Sequence, residues 1–263
     1  MTGGLGCCIK KDIKEVIRTG KVITFVLVAF GLALMILMFT FLFSDIPEVM
    51  WEQLSAFNIG SLEEVMASMY PKSARESTGI FAYYIGFFFS LVVILVTFNI
   101  LPKERAQGKW IIPLQQGYER SDIIFSKCLV YGVLTGLVVI LAYFFYYTVA
   151  NIYMERNFPF GNALVCGIVH GFNLCFIVIY TMIFSLIWKN PVIAAVSMLA
   201  TIILVPDIAI YFSFGKYLPT YPLTFVYDSS DRYGNLVAPF ILNLGILLIL
   251  YMCRDLYAAD KTE

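Results

Sequence analysis

Apolar residues gather into six long runs, at about residues 22–43, 80–101, 128–150, 163–188, 192–211 and 236–253. As helices rising 1.5 Å per residue, runs of about 20 residues cross the roughly 30 Å of bilayer hydrocarbon. The pattern therefore predicts an all-α integral membrane protein with six transmembrane helices. Ahead of the first run, residues 9–20 (IKKDIKEVIRTG) put Ile9, Ile13, Val16 and Ile17 on one helical face. Lys10, Lys11, Lys14 and Arg18 fall on the other, with Asp12 and Glu15 among them. That spacing predicts an amphipathic helix within residues 1–21 that lies at the membrane surface.

The segments between the runs differ in character. Residues 44–79 are acidic, and Ser61-Leu-Glu-Glu64 reads as a capping box opening a short outer helix. Residues 102–127 are the longest polar interruption on their side. They hold Lys103, Arg105, Lys109, Arg120 and Lys127 against Glu104, Glu119 and Asp122. We read this stretch as a connector that receives force from another protein. A tight turn, Lys189-Asn190-Pro191, joins the fourth and fifth runs. Around the outer segment 212–235, Pro206, Pro219 and Pro222 break any continuous helix, and Tyr211, Tyr217, Tyr221 and Tyr227 are of the type enriched at the membrane boundary. This is either a partly re-entrant hairpin or an aromatic-rich loop.

Composition agrees with a membrane class. Hydrophobic residues make up 60% and charged residues 14%, against about a quarter charged in soluble domains, and mean hydropathy is +0.82. Net charge is zero, so no nucleic-acid partner is implied. With the N-terminus inside, the inner segments carry thirteen of the 18 Lys and Arg residues. Only Lys72, Arg75, Arg156, Lys216 and Arg232 lie outside. The asymmetry places both termini and the connector in the cytoplasm. Cys128, Cys166, Cys175 and Cys253 fall in apolar runs as small hydrophobes. Leu5-Gly-Cys-Cys8 lacks the basic and apolar regions of a lipoprotein leader before it, and Cys7 and Cys8 read as an unmodified pair, the alternative being acylation of a membrane-proximal Cys pair.

Candidate chemistry is sparse. A phosphate-binding loop needs Gly-x-x-x-x-Gly-Lys-Ser/Thr. Thr19-Gly20-Lys21 is followed by Val22 and preceded by Glu15 where the first glycine belongs, and Gly108-Lys109 fails likewise. Any ATP must be used by a partner. One histidine rules out a multi-His metal site, so no catalytic residue, metal ligand or directly bound cofactor is assigned. An intramembrane enzyme is weak for the same reason. His170, Asn173 and Asn243 fall roughly 10–17 Å inside their helices, with Asp207 shallower. These four are candidate substrate-pathway residues, and the alternative is hydrogen bonding between helices.

The connector resembles that of the type-2 permease family of ATP-binding-cassette (ABC) transporters, whose pattern after the second span reads roughly E-R-x-x-G-T…P-x-x-R…K. Glu104-Arg105-Ala-Gln-Gly108 matches its opening, and Arg120 and Lys127 fall at the spacing of its Arg and Lys. Lys109 stands where the family has Thr or Ser, and Gly117 where it has Pro, with a proline earlier at Pro113. The amphipathic start is similar to the family's elbow helix. The resemblance implies a permease subunit of an exporter, with the substrate pathway in the membrane. It makes Glu104, Arg105, Gly108, Gly117, Arg120 and Lys127 the ATPase-coupling residues. It further implies two copies of a separate cytoplasmic ATPase holding ATP and Mg, and a second permease subunit, identical or a sister. In this picture the second helix continues through Glu104 and Arg105 and breaks near Pro113. A segment around Gln115–Asp122 then docks in the ATPase, and Glu104 and Arg105 pair with the elbow helix or within the connector. The setting would be a bacterial plasma membrane. The alternative is a membrane receptor or scaffold that transports nothing.

Overall fold

The computed structural model describes residues 4–44, 73–154, 156–188, 190–211, 217–224 and 234–252, and these are helical with no strand among them. In chain order they form α1 (Gly4–Arg18), α2 (Lys21–Ser44) and α3 (Ala74–Tyr84), which passes through a π turn (Ile85–Phe89) into α4 (Ser90–Thr97). Then come α5 (Ile100–Ala106), α6 (Ile111–Gln115), α7 (Arg120–Tyr153), α8 (Phe160–Ile187) and α9 (Pro191–Tyr211). A 3-10 turn (Tyr221–Thr224) and α10 (Gly234–Met252) complete the order. Four units are long and apolar enough to cross a membrane: Lys21–Phe41, Ala74–Ala106, Arg120–Tyr153 and Phe160–Ile187. The two shorter apolar stretches are Pro191–Leu204 and Leu236–Met252. The expected outer helix at Ser61 lies outside the described residues.

Several helix ends differ from the apolar runs, for local reasons. The second long helix starts at Ala74, not Ile80. Ser73 is extended, and its hydroxyl accepts from the Glu76 N–H (3.3 Å), so Ser73-Ala-Arg-Glu76 is the helix stop that fixes the end. At its other end Pro102 does not terminate the helix. The chain turns at Phe98–Asn99, so Pro102 falls in the first turn of α5, where a missing N–H has no intrahelical partner to lose. Nor does the chain break near Pro113, which sits likewise in the first turn of α6. The breaks are glycines in left-handed conformation, Gly108 (φ 68°) and Gly117 (φ 86°), one on each side of α6. The third long helix begins at Arg120, so residues 120–127 belong to α7 and not to a loop.

The core is the antiparallel pair α7–α8. Gly136 on α7 meets Gly171 on α8, while Gly132 takes Cys175 and Gly167 takes Ile140 and Tyr143, so two small-x-x-x-small patterns let the backbones approach closely. A Cβ added to Gly136 would lie 3.0 Å from the Gly171 carbonyl oxygen, and one on Gly171 would lie 2.9 Å from that of Gly136. At one end α3 docks on α7, where Phe81 stacks on Tyr146 (4.3 Å, 2°) and the Tyr146 hydroxyl meets that of Ser77.

Candidate functional site

The charged residues of α1, α5 and the start of α7 converge at one end of the bundle. On α1 the four-residue spacing of Cys8, Asp12 and Val16 makes one face, and all three are buried. Ile9 packs beside them, whereas Ile13 and Ile17 remain exposed. The helix therefore divides its apolar residues between protein and surroundings. Asp12 departs from the expected charged face and turns inward. It does so because Lys127, in the second turn of α7, is 1% exposed and needs counter-charges.

Lys127 Nζ lies 3.0 Å from Asp12 Oδ1, 3.0 Å from Glu15 Oε2 and 2.9 Å from Glu104 Oε1. One ammonium thereby uses its three donors on three carboxylates and ties α1, α5 and α7 together. Asp12 Oδ2 accepts from the Ser126 hydroxyl. Lys109 Nζ adds a looser contact to Glu15 at 3.9 Å, and the Lys21 ammonium donates to the Tyr131 hydroxyl (2.9 Å) close by. Burial pushes the Glu15 carboxyl up, but the hydrogen bond and charge of Lys127 outweigh it, so its pKa is lowered. Burial and the nearby Asp12 raise that of the Cys8 thiol, which makes it a poor nucleophile.

The connector caps this junction. Gly108 turns the chain after α5, Trp110 is buried, and Leu114 and Tyr118 pack on the core. Ile111 and Ile112 of α6 point outward and are 56% and 66% exposed. The exposed part of the connector therefore comprises Ile111 and Ile112 together with Gln115, Gln116, Gly117 and Glu119, and so overlaps the start of the Gln115–Asp122 stretch expected to dock. Of the six expected coupling residues, Glu104 and Lys127 touch directly, Gly108 and Gly117 supply the turns, and Arg105 and Arg120 are half-buried at the two edges. Asp12, Glu15 and Ser126 complete the site and were not singled out by the sequence. The signal for Asp12 was its position four residues from both Cys8 and Val16.

The expected pathway residues lie elsewhere. His170, Asn173 and Asn243 are all buried, and the side chain of Asp207 lies outside the described residues. Asn173 and Asn243 come together on the 217–224 segment. Asn243 Nδ2 donates to the Pro219 carbonyl (3.0 Å), and its Oδ1 accepts from the Tyr180 hydroxyl (2.8 Å). In the amide orientation that satisfies both its groups, Asn173 donates to the same carbonyl (3.3 Å) and accepts from the Leu223 N–H (3.1 Å). Leu223 also lies against the π turn, where a Cβ on Gly86 would come 2.7 Å from its carbonyl oxygen. Counted along the helices, Gly86 and Asn173 are about 18 and 20 Å from the ends at Ala74 and Phe160. The segment therefore penetrates between helices, and the buried amides pair with its backbone. His170 faces α7, its ring 5.5 Å from that of Tyr143.

Comparison with protein-family models, curated proteins and solved structures finds no significant match.

Proposed function

We propose that the chain is the permease subunit of an ABC exporter, a six-span protein whose transport is driven by a separate ATPase docked on residues 102–127. The observation that carries this reading is the ion cluster on Lys127. It joins the residues of the E-R-x-x-G…K pattern to the amphipathic helix and makes α1, the connector and α7 a single stiff unit. α9 and α10 supply the fifth and sixth spans, α1 is the elbow helix, and both termini face the cytoplasm of a bacterial cell. Two ATPase copies, holding ATP and Mg, bind beneath a pair of permease subunits. Ile111 and Ile112 suit this role because they are exposed apolar residues on the tip of a rigid connector. Closure of the ATPases pushes that tip and switches the access of a cavity between the subunits.

Purification of tagged protein from its native membrane in mild detergent tests the proposal. The expected outcome is an ATPase of separate sequence in the eluate and its loss in Ile111→Asp. That variant alters an exposed position and leaves the elution volume of the chain itself unchanged. Wild-type chain that elutes alone, stable and without ATPase in every detergent tried, overturns it.

A further inference from the structure

A groove of about 800 Å³ runs between α1 and the connector, within the range of small-molecule pockets, roughly 300–1,000 Å³. Lys10, Lys11, Lys14, Arg18 and Lys109 line it. Among the described residues, none of the four α1 cations has a carboxylate within salt-bridge reach. The two acids at its base, Glu15 and Glu104, are both engaged by Lys127. Lys109 shares Glu15 at 3.9 Å, so the groove carries its surplus of positive charge on the four α1 cations. Its border on α1 is apolar. Ile13 and Ile17 lie next to the lysine face and are 45% and 66% exposed, and Arg18 stands three residues before the apolar helix α2 begins.

We propose that this groove is a binding site for the headgroup of an anionic phospholipid. The cations take the phosphate, and the acyl chains run over Ile13 and Ile17 toward α2. A surface that pairs unneutralised lysines with an exposed apolar ridge matches a ligand that carries both phosphate and hydrocarbon. An acidic protein surface satisfies the lysines and leaves the isoleucines in water. The opposite wall, Ile112 and Pro113, belongs to α6, so an occupied groove touches the connector directly. Lipid binding here does not depend on whether an ATPase docks.

Cys7 lines the groove and is exposed, which makes it a local reporter. The full chain in a mild nonionic detergent is titrated with phosphatidylglycerol or with phosphatidylcholine of the same acyl chains. Alkylation of Cys7 is followed by peptide mass spectrometry. Phosphatidylglycerol is expected to protect Cys7 at a midpoint well over tenfold below that of phosphatidylcholine. Each cation near an anionic lipid contributes about 1 kcal/mol, about fivefold. Lys10→Gln/Lys14→Gln/Arg18→Gln, all at exposed positions, is therefore expected to raise that midpoint about a hundredfold. Lys10→Arg/Lys14→Arg retains the protection. Equal protection by the two lipids, or protection undiminished in the triple variant, overturns the site. Inorganic phosphate protecting at the same concentration as the lipid assigns the groove to a free anion and overturns the lipid. Protection by a polyglutamate peptide but not by phosphatidylglycerol overturns it in favour of an acidic protein partner.

Discussion

Replacing Lys127 by Met removes the ammonium that three carboxylates share while keeping most of the side-chain volume. Asp12 and Glu104 are then left as buried acids without their cation, at 2% and 6% exposure. Removing one partner of a buried ion pair costs about 3–5 kcal/mol, because the remaining charge stays desolvated. Asp12 keeps the Ser126 hydroxyl, and Glu15, a quarter exposed, reaches water and adds little. The loss therefore belongs near the low end, about 3 kcal/mol. At about 2 °C per kcal/mol for a chain of this size, that lowers the melting temperature by at least about 6 °C. The assay is thermal unfolding in mild detergent with a thiol-reactive dye. Cys128 and Cys166, each 1% exposed, report opening of the core. Lys127→Met/Asp12→Asn/Glu104→Gln is expected to recover most of the loss, since neutral groups in place of a buried ion cluster are often tolerated. A single variant that melts with the wild type refutes the reasoning, because Lys127 would then be solvated. A triple variant no better than the single one refutes it differently, by assigning the loss to packing and not to charge.

Two further outcomes follow from the same geometry. Glu15 faces Lys127, Lys109 and Glu104, and its lowered pKa makes its contribution complete above the ordinary glutamate range and lost as pH falls through the lowered value. Hydrogen exchange of α1, corrected for intrinsic rates, is expected to be constant from neutrality to about pH 5 and to rise below about pH 4. Glu15→Gln reduces that rise, and an identical rise in the variant rules out Glu15 as its source. Asn243→Leu strips a donor from the Pro219 carbonyl and an acceptor from Tyr180. Asn173 still donates to that carbonyl, and the Asn243 backbone carbonyl still accepts from Tyr180 (3.2 Å). The loss is that of one or two hydrogen bonds at about 1 kcal/mol each, so exchange of the Tyr221 and Leu223 amides is expected to rise about five- to thirtyfold. Unchanged protection shows that the segment is held by apolar contact alone.

The described residues of the six apolar runs are helical almost throughout, and four of these helical units are long and apolar enough to cross a membrane. Where the helices end was legible only in part. Hydropathy fades near residues 80 and 128, yet α3 and α7 continue outward for six and eight more residues, to Ala74 and Arg120. The Ser73–Glu76 stop and the four-residue glycine spacings of α7 and α8 are present in the sequence, but the hydropathy pattern passes over them. At the junction, Glu104 and Lys127 stood out through the connector pattern. Asp12 did not, because an acid among lysines reads as surface charge until the helix is given a third face. The amides of Asn173 and Asn243 were legible as buried polar groups but their partner was not. The Pro219 carbonyl lies 24 residues from Asn243 and belongs to backbone, which carries no side-chain signal.

The two polar sites are built from different chemistry, and the difference bears on what each can do. Between the helices, neutral amides hold the 217–224 segment through single hydrogen bonds, each worth about 1 kcal/mol net. Such contacts can be broken and remade one at a time, which suits a segment lodged between helices. At the connector, one ammonium is shared by three elements, so displacing any one of α1, α5 or α7 exposes an unpaired charge to a dry interior. That penalty favours the three moving together or not at all. An apolar junction of the same size would let helices slide in small steps with little change in buried area. On the transporter reading, a push at Ile111 and Ile112 therefore passes through Trp110 and the ion cluster into α7 instead of being lost in the loop. The stiffness lies in the charges, and the bends lie in Gly108 and Gly117, where the left-handed backbone sets the direction of α6.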